Sequence, residues 1–316
     1  MILALAGGVG GARLASGLAQ VLAPDALVIA VNTGDDFRHL GLHISPDLDS
    51  VMYRLAGLND PERGWGLAGE SWAFMAALER LGGETWFRLG DRDLATHVER
   101  TRRIAAGETL SEVTAALARG LAIAHTLAPM SDDPVSTRVR TRDGELAFQD
   151  YFVRLACKPA VTGFSFAGAA DARPSPALAA ALEAPALEAI VICPSNPFVS
   201  IAPILAVAAV ADAIRRRRVP LVAVSPIIAA EAVKGPAAKM MRELGLEASA
   251  AGIARHYRGL ADGIVIDQLD GQLAPRIEAD GMAVAVAPTL MRSLDEERRL
   301  AGVTLDFALR LKRGRR

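Results

Sequence analysis

Between Asp35 and Asp49 the chain carries four aspartates, Asp35, Asp36, Asp47 and Asp49, without a compensating lysine. Upstream, Gly7, Gly8, Gly10 and Gly11 fill four of five consecutive positions between an apolar run and a helical pattern. A glycine turn ahead of a helix aims unpaired backbone N–H groups at one spot, where the helix dipole also favours an anion. Glycine allows a phosphate to approach the backbone closely. A carboxylate beside such a cradle repels the phosphate unless a cation sits between them, and hard oxygen ligands suit magnesium. The chemistry these residues suggest is therefore phosphate held by Gly8, Val9, Gly10 and Gly11, with Mg2+ on Asp35. Each feature also has a plainer reading. The glycines can make a tight strand-to-helix turn with no ligand, and Gly-Asp-Asp is ordinary turn chemistry. Ser45 to Asp47 reads as a helix start with Pro46 in the first turn, which would reduce one of Asp47 and Asp49 to a capping role.

Known phosphate motifs do not settle the matter. With Gly8 and Gly10 as the first two glycines of GxGxxG, the third position falls on Arg13. A P-loop needs Lys followed by Ser or Thr after the last glycine, and Ala12-Arg13 stands there instead.

The surrounding elements decide where these residues meet. Ile2 to Ala6 and Ala26 to Val31 are short apolar runs joined by a helix over Ala12 to Leu22, a right-handed βαβ unit with parallel strands. Both following loops then lie at the carboxyl edge of the sheet, where ligands of α/β folds bind. Further apolar runs begin at Ala189, Pro220, Gly263 and Met282, making six strands in all. Continuous rather than alternating apolar character implies helices on both faces, a doubly wound α/β sheet. Two of these strands deliver Pro194-Ser195-Asn196-Pro197 and Ser225-Pro226-Ile227 to the same edge, so Ser195, Asn196, Ser225 and Pro226, together with Asn32, are candidates to border a nucleotide. Taken singly, each loop is as well explained as chain punctuation. Between residues 51 and 128 the pattern turns helical, with helices expected over Ser71–Leu81, Leu94–Ala106 and Leu110–Leu121. This block reads as a helical insertion covering the cleft, set into a core of residues 1–50 and 129–316. Trp72, Trp86 and Phe87 read as core, whereas Arg88, Asp91 and Arg92 cluster in a loop beside Gly90. Arg142-Asp143-Gly144 marks a hairpin between Val135–Thr141 and Glu145–Leu155.

Composition excludes several classes. No stretch of eighteen uncharged apolar residues appears, and the N-terminus lacks a basic leader region, which points to a cytoplasmic protein without a membrane partner. Cys157 and Cys193 show no metal spacing, and the five histidines form no ligand cluster. A net charge of −1 gives no reason to expect nucleic acid, and the basic end RLKRGRR reads as a solvated terminus. No Ser-His-Asp arrangement with elbow geometry is present, so acyl-enzyme chemistry has little support.

Seven motifs recur together and in order: GGVGGARL at 7–14, NTGDD at 32–36, SPDLDSVMYRLAG at 45–57, DPERGWG at 60–66, WFRLGDRDLATH at 86–97, PSNPFVSI at 194–201 and SPII at 225–228. Over nearly its whole length the chain resembles the 2-phospho-L-lactate transferase family of coenzyme F-420 biosynthesis. The resemblance implies a Rossmann-like core with a helical subdomain and a magnesium-dependent phosphotransferase. Its substrates would be a GDP-activated three-carbon acid (phospholactate, phosphoenolpyruvate or 3-phosphoglycerate) and the deazaflavin alcohol Fo, with GMP released. It further implies a homodimer, with a guanylyltransferase upstream in the pathway and a glutamyl ligase downstream. Asp49 and Arg88 match positions that contact Fo, and Asp49 is also a candidate second metal ligand beside Asp35, with both acids as catalytic candidates. A related family of non-catalytic nucleotide-sugar-binding regulators is the alternative. A nicotinamide oxidoreductase is disfavoured by the broken GxGxxG.

Overall fold

The computed structural model describes residues 1–314; Arg315 and Arg316, the end of the basic run, lie outside the described residues. Its centre is a seven-stranded sheet of β1 (Ile2–Ala6), β2 (Leu27–Val31), β3 (Thr126–Pro129), β4 (Ala189–Ile192), β5 (Leu221–Val224), β6 (Gly263–Ile266) and β7 (Ala283–Val286). The strand order is β7-β6-β5-β4-β1-β2-β3, and every pairing is parallel. Six of these strands are legible as apolar runs. The seventh, β3, is only Thr-Leu-Ala-Pro, and it sits at the sheet edge, where a proline without an N–H breaks no ladder.

Both faces of the sheet are covered, as the unbroken apolar runs imply. Leu3 and Leu5 of β1 enter one core, while Ile2, Ala4 and Ala6 enter the other. Leu3 and Leu5 are fully buried, each worth about 1.5–3 kcal/mol relative to exposure. On the second face lies α1 (Gly8–Val21), flanked by α2 (Pro46–Leu55) and the C-terminal helix Leu294–Gly314. That last helix approaches α1 so closely that a Cβ on Gly17 would stand 2.2 Å from the Glu297 carbonyl oxygen.

Between α2 and β3 come α3 (Ala73–Arg80), α4 (Asp93–Ala105) and α5 (Leu110–Gly120), each within two residues of its expected span. The start of α5 is a capping box, with Thr109 and Glu112 exchanging hydrogen bonds. The Asp-Gly hairpin forms between Ser136–Thr141 and Gly144–Ala147, with Gly144 at φ 124. The second arm is shorter than expected. After Ala147 the chain coils into a helical turn, Asp150–Arg154, because Phe148 and Tyr151 are drawn three residues apart into the core. The expected helix over Pro203–Ala213 is broken at Val207 into two segments. No single helix among the described residues is long and apolar enough to cross a membrane.

One surface cluster offers a stability test away from the cleft. Hydrogen bonds from Ser249, Arg255 and Arg276 hold the Glu247 carboxyl down at about 2, below its ordinary 4.5. A depressed carboxylate contributes stability above its unfolded value and loses it as pH falls toward the folded one. Glu247→Gln is therefore expected to lower the urea midpoint modestly at pH 7. The gap from the unaltered protein should narrow between pH 4.5 and pH 2.

Candidate active site

The turn after β1 is tighter than the sequence suggests: α1 begins at Gly8, so the glycines form its first turn. Only Gly8, at φ 64, needs glycine for its backbone conformation. Gly10 and Gly11 are demanded by packing. A Cβ on Gly10 would lie 2.2 Å from the Pro194 carbonyl oxygen, and one on Gly11 would lie 2.5 Å from Ser195 Oγ. Two of the helix's orphan N–H groups are taken inside the protein: Gly7 donates to Ser195 Oγ (3.2 Å) and Gly8 to Asp47 Oδ1 (2.7 Å). The next two, on Val9 and Gly10, border the cavity that opens beyond.

The carboxylates divide into two groups. Asn32, fully buried at the end of β2, donates from one amide nitrogen to Asp35 Oδ1 (3.0 Å) and Asp47 Oδ2 (2.9 Å), bringing the two acids face to face. Neither has an ion-pair partner among the described residues. Burial, then the neighbouring charges of Asp47 and Asp36, pushes Asp35 well above the ordinary carboxylate range. Burial also lifts Asp47, against the hydrogen bonds from Asn32 and Gly8, to about 6. Two buried carboxyls with no cation between them have the donor chemistry for a divalent metal, bound through one or two carboxylates with phosphate oxygens completing the shell. No cluster of three or more carboxylate, histidine or cysteine ligands exists among the described residues.

Asp49, two residues on and so about half a turn around α2, belongs elsewhere. Both its oxygens accept from the guanidinium of Arg100 on α4, so its charge is already met from within. Asp36 accepts from Ser45 Oγ (2.7 Å) and faces His43 Nε2 (3.2 Å), off the main cavity.

The cavity holds about 540 Å³ and lies at the carboxyl edge of the sheet. It gathers Gly8, Val9, Gly10, Asp35, Asp49, Arg88, Ser195, Asn196, Ser225 and Pro226. Gly11 and Asn32 lie behind its wall, in supporting positions. The loop side chains are largely committed to their own backbones: Asn196 Oδ1 accepts from Phe198 N (3.0 Å), and Ser225 Oγ accepts from Ile227 N (3.1 Å). Across from them stands an aromatic wall. Arg88 lies 4.3 Å over the Trp72 ring, Arg63 sits between Trp65 and Trp72, and Trp86 and Phe87 border the cavity, while Trp72 and Phe87 also pack against the small core of Ile44, Met75 and Leu89, as expected of core aromatics. Asp47, one of the four aspartates, also lines the cavity, as do Trp65 and Lys234, whose residue types do not set them apart from other surface-loop residues.

The model of the family described as 2-phospho-L-lactate transferase CofD matches residues 2–292. The chain belongs to that family. A phosphoenolpyruvate transferase of Streptomyces griseus is 42% identical over 314 residues, covering 97% of this chain and 98% of the relative. A 2-phospho-L-lactate transferase of Methanosarcina mazei is 37% identical over 299 residues, covering 95% and 97%. Among solved structures, a UPF0052 family protein of Bacillus halodurans shares the fold, with a TM-score of 0.60 at 14% identity over 96% of this chain and 98% of that one. The cavity has one side of helix-start glycines and carboxylates and another of aromatic and arginine side chains.

Proposed function

We propose that this CofD-family enzyme transfers a phospho-three-carbon-acid unit from its GDP-activated form to Fo, releasing GMP, in coenzyme F-420 biosynthesis. The observation that carries the reading is the pairing, in one cavity, of two uncompensated buried carboxylates with a wall of tryptophan and arginine. The Val9 and Gly10 N–H groups face the donor's phosphates, with Lys234 and Arg13 nearby on the cavity wall. Asp35 and Asp47 are the residues that would hold Mg2+, which, when bound, supplies charge neutralisation on the donor's phosphates. Trp65, Trp86 and Phe87 offer flat faces to the planar deazaflavin ring. A ribityl hydroxyl oxygen then bonds to the phosphorus bearing the three-carbon unit. The bond from that phosphorus to the GMP oxygen breaks, and GMP leaves with the electron pair. Asp49, held by Arg100, accepts a hydrogen bond from the acceptor hydroxyl and orients it, and as the new P–O bond forms the hydroxyl O–H bond breaks, its proton passing to the departing GMP phosphate or to water.

Phosphoenolpyruvate transferases among the relatives are 38–42% identical and the two Methanosarcina 2-phospho-L-lactate transferases 37–38%, so phosphoenolpyruvate and phospholactate are the first two acids to try. The deciding experiment mixes the purified protein, Fo, GTP, Mg2+ and a guanylyltransferase with each three-carbon phosphate in turn, and seeks the Fo phosphodiester by mass spectrometry. Product from either of those two supports the reading, product from another acid alone corrects the donor, and no product from any acid overturns the transfer.

Arg88 carries no ion pair among the described residues and rests only on Trp72, so its guanidinium is free to meet a ligand. Arg88→Ala is expected to raise the KM for Fo about tenfold or more, the loss of one hydrogen bond from a charged donor. GDP affinity, read by calorimetry, should stay where it was.

A further inference from the structure

Asp49 is one member of a closed ring of buried polar side chains that stitches α2 to α4. Arg100, about 1% exposed, grips both Asp49 oxygens, and its Nη1 lies 3.3 Å from His97 Nδ1. On the far side of the imidazole, His97 Nε2 lies 3.3 Å from Asp93 Oδ2. Asp93 Oδ1 in turn accepts from the Tyr53 hydroxyl at 2.5 Å. Tyr53 is one helical turn beyond Asp49 on α2, and that closes the ring. On α4 the three members, Asp93, His97 and Arg100, fall at i, i+4 and i+7, one stripe along the helix.

Holding two helices together does not require this arrangement. Apolar side chains of similar volume would do so as well or better, because buried charges lose their hydration. What the ring adds is orientation. The planar fork of an arginine meets a carboxylate at two points and fixes its plane, whereas a lysine ammonium would neutralise it without aiming it. Asp49, Tyr53, Asp93 and His97 all reach the cavity wall, while Arg100 does not. Arg100 therefore has no direct route to a ligand; it can act on one through Asp49, which takes both arms of its fork, or through His97 at 3.3 Å.

We propose that Arg100 is a positioning residue of the transferase: from α4 it fixes the Asp49 carboxylate as an aimed hydrogen-bond acceptor for the hydroxyl of the incoming substrate. This rests on the reading of Asp49 as the acceptor-side contact. It assigns the helical block a part in the chemistry beyond covering the cleft.

The test is a double-mutant cycle on kcat/KM for Fo, with GDP affinity and thermal stability measured beside it. Arg100→Lys keeps the charge and loses the fork, and is expected to lower kcat/KM for Fo about tenfold or more with GDP affinity unchanged. Asp49→Asn should lower the same constant. In the double variant Asp49→Asn/Arg100→Lys the losses should not multiply, because the proposed role of the arginine runs through the aspartate. Should Arg100→Lys prove too unstable to assay, Arg100→Gln paired with Asp49→Asn removes both charges together and should match Asp49→Asn alone in kcat/KM for Fo. Multiplying losses, or an Arg100→Lys enzyme within twofold of the unaltered protein, would overturn the inference and leave the transfer reaction standing. Failure of the unaltered protein to use Fo would overturn the proposed function, and this inference with it.

Discussion

Asp35→Asn is expected to abolish measurable transfer, lowering kcat by about a thousandfold or more, while raising the melting temperature of the metal-free protein. The first effect follows from the role proposed for Asp35 as a cation ligand beside the donor's phosphates. Charge stabilisation there is worth several kcal/mol, and each 1.36 kcal/mol is a factor of ten in rate. The second follows from the geometry around Asn32, which draws Asp35 and Asp47 together with no internal cation to relieve them. An asparagine removes one of two repelling charges and retains a polar group for the Asn32 amide. A gain of about 1 kcal/mol would raise the melting point by about 2–4 °C in a domain of 150–250 residues, and by less in this longer chain. Mg2+ should raise the melting temperature of the unaltered protein and leave that of the variant nearly unmoved. Differential scanning fluorimetry with and without Mg2+, beside a product assay, reads all three outcomes. A variant that keeps both its activity and its response to Mg2+ would remove Asp35 from the cation site.

Gly10→Ala should be nearly as damaging, for a different reason. A methyl group there would stand 2.2 Å from the Pro194 carbonyl oxygen, far inside contact distance, and the obstacle is backbone rather than a side chain that can swing away. Either α1 or the loop after β4 must move, and both border the phosphate-facing end of the cavity. We expect the variant to be destabilised by about 1–3 kcal/mol, the usual cost of overpacking, and to lose GDP affinity at least tenfold. Chemical denaturation and calorimetry with GDP measure the two. Gly41→Ala is the matched control for inserting a methyl: its Cβ would meet nothing within 4 Å, although the positive φ of 78 there exacts a small conformational penalty.

The sheet was largely legible because a strand buried on both faces leaves an unbroken apolar run, and chemistry gathers where such runs end. Those ends carry Asp35, Ser195, Asn196 and Ser225, which share one rim. β3 escaped because an edge strand four residues long, ending in proline, has too few apolar positions to stand out. The place of Trp86 and Phe87 on the cavity wall escaped for a general reason: apolar side chains that line a ligand cavity and those that fill a core have the same composition. The division of labour among the aspartates was out of reach as well. Asp47 and Asp49 look alike in the sequence, and only the position of Arg100, fifty-one residues further along, separates a carboxylate without an ion-pair partner among the described residues from one that has it. The helix-start reading of Asp47 was a local truth, since it does sit in the first turn of α2. Its contact with the Gly8 N–H comes from a crossing of two helices that no local pattern records.

That α2 bears Asp47 toward the glycine turn and Asp49 toward α4 has a mechanical consequence. The two carboxylates are cut from a single turn of one rigid rod, about 3 Å apart along its axis. With the roles proposed for them, the gap between the group that steadies the donor and the group that aims the acceptor is set by helix geometry and not by loop motion. Trp65 and Lys234 line the same cavity from outside α2, where Lys234 Nζ lies 3.4 Å from the Arg63 carbonyl oxygen, so a substitution in either segment leaves that spacing unchanged. Alignment of the two groups is then a property of α2 alone.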